Sequence, residues 1–350
     1  EMHSRRSSFL LIVMMVFSSS SRELDRLCHS SPSLRFSREI SSFPGDKSSP
    51  PSDQICYVVE DTPGLHKWNR HTRSLILISP YRSQNVSVVY LSRPKTNGIR
   101  AVIGSDSRLW RVDHAHDPFL QAIRAEFLMP VVLKAMPLYS KYEEHNILIF
   151  GLAGGTGSMY LRYQRPKINI TIVEEELDVI DLSKRWFGLL EDSRYSVVNT
   201  KTDDFLQEAL EKGRKYDVIT MDWLDSADLS ISARLIISDI PKMASGCLTP
   251  SGVFIAHLND FPPLYHEFPL ILSSLLSHFS SCLSLRLAND HIIITCFNKK
   301  FVAGTTKPFV DRFNFVADYF HFKTSRHFVS LTLHSQEKSD ETVLIGQNLS

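Results

Sequence analysis

Ile147-Leu-Ile-Phe-Gly-Leu-Ala-Gly-Gly-Thr-Gly157 decides how this chain folds. Ile147–Phe150 is an unbroken apolar run, as a central parallel strand buried on both faces requires. Gly151, Gly154, Gly155 and Gly157 then crowd one turn, and a helix is predicted from about Ser158. Glycine tolerates positive φ and lets a ligand approach the main chain. The helix start adds oriented N–H donors. A second strand, Ile168–Val173, ends in Glu174-Glu-Glu176. Glu174 thus falls about 20 residues beyond the turn, where an acid can accept both hydroxyls of a ribose. A purely structural tight turn is the alternative. A Walker phosphate loop is excluded, because no Gly-Lys-Ser/Thr follows.

Working outward, strands and helices alternate. A helix at 177–187 is followed by a strand at Ser196–Asn199, then by Asp203 and Asp204 opening a helix with Phe205, Leu206, Ala209 and Leu210. Tyr216–Met221 reads as a fourth strand ending at Asp222, and a helix near 230–245 leads to a fifth, Val253–Leu258. Residues 266–279 read as helix. Leu283–Leu287 and His291–Phe297 flank Asn289-Asp290 as a hairpin. The alternation predicts βαβ units and a parallel sheet, and the hairpin places an antiparallel strand at its edge. The expectation is a Rossmann-like α/β domain over 144–300, with a mostly parallel seven-stranded sheet and an antiparallel edge strand. That is the class I methyltransferase arrangement.

Short β-rich runs at Cys56–Val59, Ser74–Ser79, Val86–Leu91 and Ile99–Ile103, separated by Pro-Gly and Asn-Gly turns, predict a small β-rich N-terminal unit. A helix over 117–139, opened by Pro118 and closed by Pro137, completes a segment at 55–143. Residues 301–350 form a C-terminal extension with an aromatic amphipathic stretch, Phe309–Phe322, expected to dock as a helix. Residues 22–54 are Ser-, Pro- and Arg-rich and read as a disordered linker. Residues 1–21 join Arg5-Arg6, an apolar run Phe9–Phe17 and serines, which resembles a signal peptide. Its run is half of the ~20 residues that span a bilayer, so no transmembrane helix is expected. The compartment is the secretory pathway if the leader is a signal, and the cytoplasm otherwise.

The formal net charge of +1 on 350 residues provides no global field for nucleic acid or acidic lipid. Function must therefore reside in a local site. The five cysteines, Cys28, Cys56, Cys247, Cys282 and Cys296, lack CxxC spacing and read as buried or free thiols, with a Cys28–Cys56 bridge open only to an exported chain. His114 and His116, beside Asp113 and Asp117, fall short of a metal ligand set, so no metal is expected. Asp203 follows the third strand and can accept from an adenine amino group or cap the next helix. Asp222 and Asp225 lie at and just after the fourth strand's carboxyl end, where ligands of open α/β sheets bind. A carboxylate there can orient or deprotonate an attacking amine, while Asp225 can equally cap a helix.

Several pieces together resemble the spermidine synthase-like branch of the S-adenosylmethionine-dependent methyltransferases, and within it the elongation factor 1-alpha methyltransferases. They are Leu148-Ile-Phe-Gly-Leu-Ala-Gly-Gly, Ile172-Val-Glu, Trp186-Phe-Gly, Asp203-Asp-Phe-Leu, Tyr216-Asp-Val-Ile-Thr-Met-Asp and Leu248-Thr-Pro-Ser-Gly-Val-Phe, with Val112-Asp-His and Phe119–Met129 upstream. The resemblance implies S-adenosyl-L-methionine as cofactor, held by Gly151, Gly154 and Gly155 at its methionine end, by Glu174 at its ribose and by Asp203 at its adenine. It implies catalytic roles for Asp222 and Asp225, a nitrogen nucleophile on a protein or amine acceptor, and a homodimer. Two departures stand out. Ser226-Ala-Asp-Leu-Ser230 replaces the Pro-Ile-Gly-Pro-like loop of the polyamine synthases. Ala153 occupies a position where relatives often carry glycine. Methyl transfer is the first expectation. Aminopropyl transfer from decarboxylated S-adenosylmethionine, and an inactive binding scaffold, are the alternatives.

Overall fold

In a computed structural model, the described residues are 38–42, 56–62, 70–79, 82–92, 95–96, 99–100, 110–116, 118, 120–139, 142–221, 235–259, 264–287, 291–299, 306–322, 328–335 and 338–344. The expected leader, residues 1–21, and the Cys28–Cys56 bridge lie outside them. The chain divides into two units, residues 1–113 and 114–350.

The first unit is an antiparallel sheet in the order β1 (Arg38–Ser42), β2 (Cys56–Thr62), β3 (His71–Ser79), β4 (Arg82–Ser92) and β7 (Arg111–Asp113). A two-stranded ribbon pairs β5 (Lys95–Thr96) with β6 (Ile99–Arg100). Val58, Val59, Leu75, Leu77, Val86 and Val88 supply its buried apolar residues. Arg73 is 1% exposed, and its guanidinium reaches both carboxylate oxygens of Asp61 at 2.7 Å, the two-pronged pairing that makes a buried arginine tolerable. The strand β1 corrects the expectation of an unstructured linker over 22–54. Arg38–Ser42 carries one β-branched residue, but it pairs with Cys56–Glu60 through the main chain, which needs no apolar run.

The second unit is built on a nine-stranded sheet. Its strands are β8 (Asn146–Phe150), β9 (Asn169–Glu174), β10 (Tyr195–Asn199), β11 (Tyr216–Met221), β12 (Leu248–Asn259), β13 (Ser281–Leu287), β14 (His291–Phe297), β15 (Phe328–Ser335) and β16 (Lys338–Leu344). The spatial order is β10-β9-β8-β11-β12-β14-β13-β15-β16. The first five run parallel. β14 lies antiparallel between β12 and β13. The α/β class and the seven-strand arrangement hold, with two refinements. The reversed strand is inserted one place inside β13 rather than at the edge, and β15 and β16 extend the sheet beyond it.

Among the described residues the helices are α1 (Gln121–Val132), α2 (Thr156–Gln164), α3 (Leu177–Trp186), α4 (Thr202–Glu211), α5 (Ile240–Cys247), α6 (Leu264–Leu276) and α7 (Thr306–Tyr319). One apolar cluster joins Phe205 and Leu206 of α4, Met243 of α5, and Ile271 and Leu275 of α6 to Phe150, Ile219, Phe254 and Ile294 of the sheet. Elsewhere, α1 packs against β12, β14 and α7. The Phe127 ring meets Phe320 edge-on at 4.7 Å, and Arg312 of α7 donates to the Val132 carbonyl at 2.8 Å. That last contact satisfies a carbonyl at the helix C-terminus. α1 is shorter than the predicted 117–139, because Lys134 turns left-handed at φ 64° just past its end.

Cys282 and Cys296 are register partners on β13 and β14 and form a disulfide. The sequence expectation of free thiols is corrected for these two. The fold places them opposite one another on one face, a proximity their 14-residue separation does not announce. Cys247 is a free, buried thiol. No helix among the described residues is long and apolar enough to cross a membrane.

Candidate functional site

The turn after β8 takes three left-handed residues, Gly151 at φ 89°, Ala153 at 46° and Gly155 at 69°. Gly154 is buried between them without a positive φ. Such a sequence of bends needs holding, because no regular ladder supports it. The Gly151 N–H donates to the Val173 carbonyl at 2.9 Å, and the Gly155 N–H donates to the Leu152 carbonyl at 2.8 Å. Ser183 of α3 donates its hydroxyl to the Ala153 carbonyl at 2.6 Å.

Glu174, the last residue of β9, is 3% exposed. Its Oε2 accepts from the Leu152 N–H at 2.8 Å, and its Oε1 accepts from the Glu176 N–H at 2.9 Å. One carboxylate therefore pins the glycine turn and its own loop. Each carboxylate oxygen has a second lone pair, so this role is compatible with gripping a ligand's hydroxyls. Asn199 ends β10 and donates to the Glu174 and Glu175 carbonyls at 2.8 and 2.9 Å. The Glu175 carboxylate accepts from the Thr202 N–H at 3.2 Å and so satisfies a donor at the start of α4. Asn199 is the register partner of Glu174. Asp203, the second residue of α4, begins the loop-to-helix passage only four positions later. It stands inside the first turn, while Lys201 holds the cap position.

A brace lies behind the turn. The Ser158 hydroxyl donates to the Gly155 carbonyl at 3.0 Å, which leaves its oxygen to accept from the Tyr195 O–H at 2.7 Å. Burial raises the Tyr195 phenol well above its ordinary range, so it stays a neutral donor. A Cβ at Gly155 would come within 3.1 Å of Leu189 Cδ1. One at Gly157 would meet Ile123 Cγ2 at 2.9 Å, so α1 crosses close over the start of α2.

Gly151, Gly154, Gly155, Glu174 and Asp203 thus come together at the carboxyl edge of neighbouring strands. Asp222 and Asp225 lie outside the described residues, immediately beyond β11. His114 follows β7 in a turn rather than on a strand. Among the described residues, no three His, Cys, Asp or Glu side chains converge as metal donors. Sequence reasoning missed Ser183, Tyr195, Asn199 and the capping role of Glu175. It had no signal for them, because each acts across a strand or helix boundary.

The strand order and the glycine-rich, acid-clamped turn define a Rossmann-like α/β fold of the class I methyltransferase type. Residues 126–279 match the model of the spermine/spermidine synthase domain family. The chain is similar to a polyamine aminopropyltransferase of Buchnera aphidicola, with 25% identity over 57% of this chain and 74% of that one. It is also similar to an eEF1A lysine and N-terminal methyltransferase homologue of Drosophila melanogaster, with 27% identity over 33% of this chain but only 18% of that one. The structure of human methyltransferase-like protein 13 in complex with SAH aligns at a TM-score of 0.50 and 20% identity, covering 59% of this chain and 94% of that one. That likeness establishes a shared fold.

Proposed function

We propose that the chain is a transferase that uses S-adenosyl-L-methionine and methylates a nitrogen nucleophile on a protein or small amine. The observation that carries this reading is the left-handed turn at Gly151–Gly155 clamped by buried Glu174 at the sheet's carboxyl edge. The residues fit the cofactor. In this reading the turn of small residues takes its methionine end, Glu174 the ribose hydroxyls and Asp203 the adenine. Bound there, the cofactor supplies a methyl group on a positively charged sulfur, which leaves as a neutral thioether. The chain's contribution is mainly positioning and the exclusion of water. Asp222 and Asp225 orient the attacking amine.

Aminopropyl transfer from decarboxylated S-adenosylmethionine to a diamine is a second reading. The family match and the Buchnera relative favour it. The loop Ser226-Ala-Asp-Leu-Ser230 weighs against it, since it lacks the prolines and glycine of polyamine synthases. The left-handed Ala153 is what an inactive scaffold would tolerate. Calorimetric titration of the protein with S-adenosylmethionine, its decarboxylated form and S-adenosylhomocysteine separates the three. Binding of the first and last supports the methyltransferase. Preference for the decarboxylated form moves the assignment to aminopropyl transfer. If none binds, only the scaffold remains.

A further inference from the structure

Asn199 ends β10 directly across from Glu174, its register partner at the end of β9. The ladder of these two strands stops at that pair. The Asn199 side chain carries the pairing one residue further. Its amide nitrogen lies 2.8 Å from the Glu174 carbonyl and 2.9 Å from the Glu175 carbonyl. An amide nitrogen has two hydrogens, so each carbonyl takes one. The contacts also fix which end of the amide faces β9, since two carbonyls accept only from the nitrogen. A lysine or arginine reaching the same oxygens would bring positive charge beside Glu174. Asparagine donates to them without charge and leaves the carboxylate for a ligand.

Through these oxygens Asn199 reaches the Glu174 carboxylate. The Glu175 carbonyl and the Glu176 N–H belong to one peptide unit, planar and here trans. The two groups point in opposite directions within that plane, so gripping the oxygen aims the N–H. That N–H is the one that donates to Glu174 Oε1 at 2.9 Å, while the Leu152 N–H holds Oε2 at 2.8 Å. Donors on both oxygens set the plane of the carboxylate as well as its place. Glu174 is 3% exposed, whereas Asn199 lies at the surface. The Glu175 carboxylate accepts from the Thr202 N–H at 3.2 Å and ties the same loop to the start of α4. One exposed amide thus governs a buried acid through a single rigid peptide.

We propose that Asn199 is a positioning residue of the nucleoside site and makes it selective for a ribose. Asn199 aims the Glu176 N–H, that N–H sets Glu174 Oε1, and the carboxylate so set accepts from the ribose hydroxyls. The proposal rests on the reading of Glu174 as the ribose-binding acid. Asn199 itself acts only through Glu174 and takes no part in the transfer step.

The test needs no knowledge of the acceptor. The full-length protein is titrated by calorimetry with S-adenosylhomocysteine and with the same compound lacking both ribose hydroxyls. The ratio of the two affinities isolates the hydroxyls, because the probes share everything else. In the native protein the ratio should be about tenfold or more, the effect of hydrogen bonds to a charged acceptor. Asn199→Ala should bring it to within about threefold of unity, with the loss falling on the hydroxyl-bearing probe. Removal of a merely structural contact would weaken both probes alike and leave the ratio standing. Asn199→Asp keeps the shape but sets a carboxylate against two carbonyls, so it should lose the ratio as well. Both substitutions fall at an exposed position, and circular dichroism melting verifies that each variant folds. A ratio that survives in either variant overturns the positioning role. A native ratio near one, with S-adenosylhomocysteine still bound, removes Glu174 from the ribose and overturns that role while the transferase reading stands. If neither probe binds, the transferase reading itself fails and the role of Asn199 fails with it.

Discussion

Ala153 is where the chemistry of a single residue is most exposed. Its φ of 46° places a Cβ against the following carbonyl, at a cost of about 1 kcal/mol relative to glycine. The conformation persists because its surroundings over-determine it. Ser183 holds its carbonyl, Glu174 holds the N–H of the preceding residue, Leu152, and Gly151 and Gly155 bend the chain on either side. Ala153→Gly should therefore stabilise the fold by up to about 0.6 kcal/mol, the relief of strain less the extra freedom that glycine gives the unfolded chain. Urea unfolding of the two proteins measures it. A destabilised A153G would mean that the alanine methyl has packing worth more than the strain. The sequence made this residue conspicuous because it interrupts a run of glycines. The braces around it were not conspicuous, since Ser183 and Tyr195 reach the turn from a different helix and strand.

At the scale of elements, a single side chain gathers the opposite, amino end of the parallel strands. Asp217 on β11 accepts from the Asn146 N–H of β8 at 2.9 Å and from the Thr249 hydroxyl of β12 at 3.1 Å, with His145 Nδ1 3.4 Å away. Burial alone would raise the Asp217 carboxyl, but hydrogen bonds from His145, Asn146 and Thr249 outweigh it and hold it below its ordinary value. The bond to Asp217 raises His145 despite its partial burial. The aspartate's contribution is present above an unfolded pKa of about 3.9 and is lost as pH falls through its lower folded value. The histidine's contribution is complete below about pH 6.5 and is lost as pH rises through its raised value. Stability should therefore be highest between these limits. Asp217→Asn should remove about 1–2 kcal/mol there and flatten both flanks. Chemical unfolding at a series of pH values checks it, and an unchanged profile in D217N would deny the clasp any role. The parallel strands themselves were legible, because Ile147–Phe150, Tyr216–Met221 and Val253–Leu258 are runs whose apolar character only a buried strand explains. β1 and β16, the outermost strands of their sheets, were not. Edge strands are held by main-chain bonds, and Lys338-Ser-Asp-Glu-Thr has no apolar period to betray it.

For the whole molecule, every glycine and acid placed at the described site belongs to residues 114–350. That unit has its own apolar core around Phe150, Ile219, Phe254 and Ile294, with helices α4, α5 and α6 packed into it. The first unit has a separate buried set on β2, β3 and β4, with the Arg73–Asp61 pair enclosed in its own sheet. A chain with two such cores is expected to unfold in two steps rather than one. Residues 114–350 expressed alone should accordingly fold, melt cooperatively, and bind S-adenosylhomocysteine within about threefold of the full chain, since the proposed cofactor site lies within that unit. Circular dichroism and calorimetry on the fragment measure both properties. Loss of cooperative melting would show that the sheet from β8 to β16 depends on the N-terminal residues. Cooperative melting without binding would instead remove the glycine turn and Glu174 as a sufficient cofactor site.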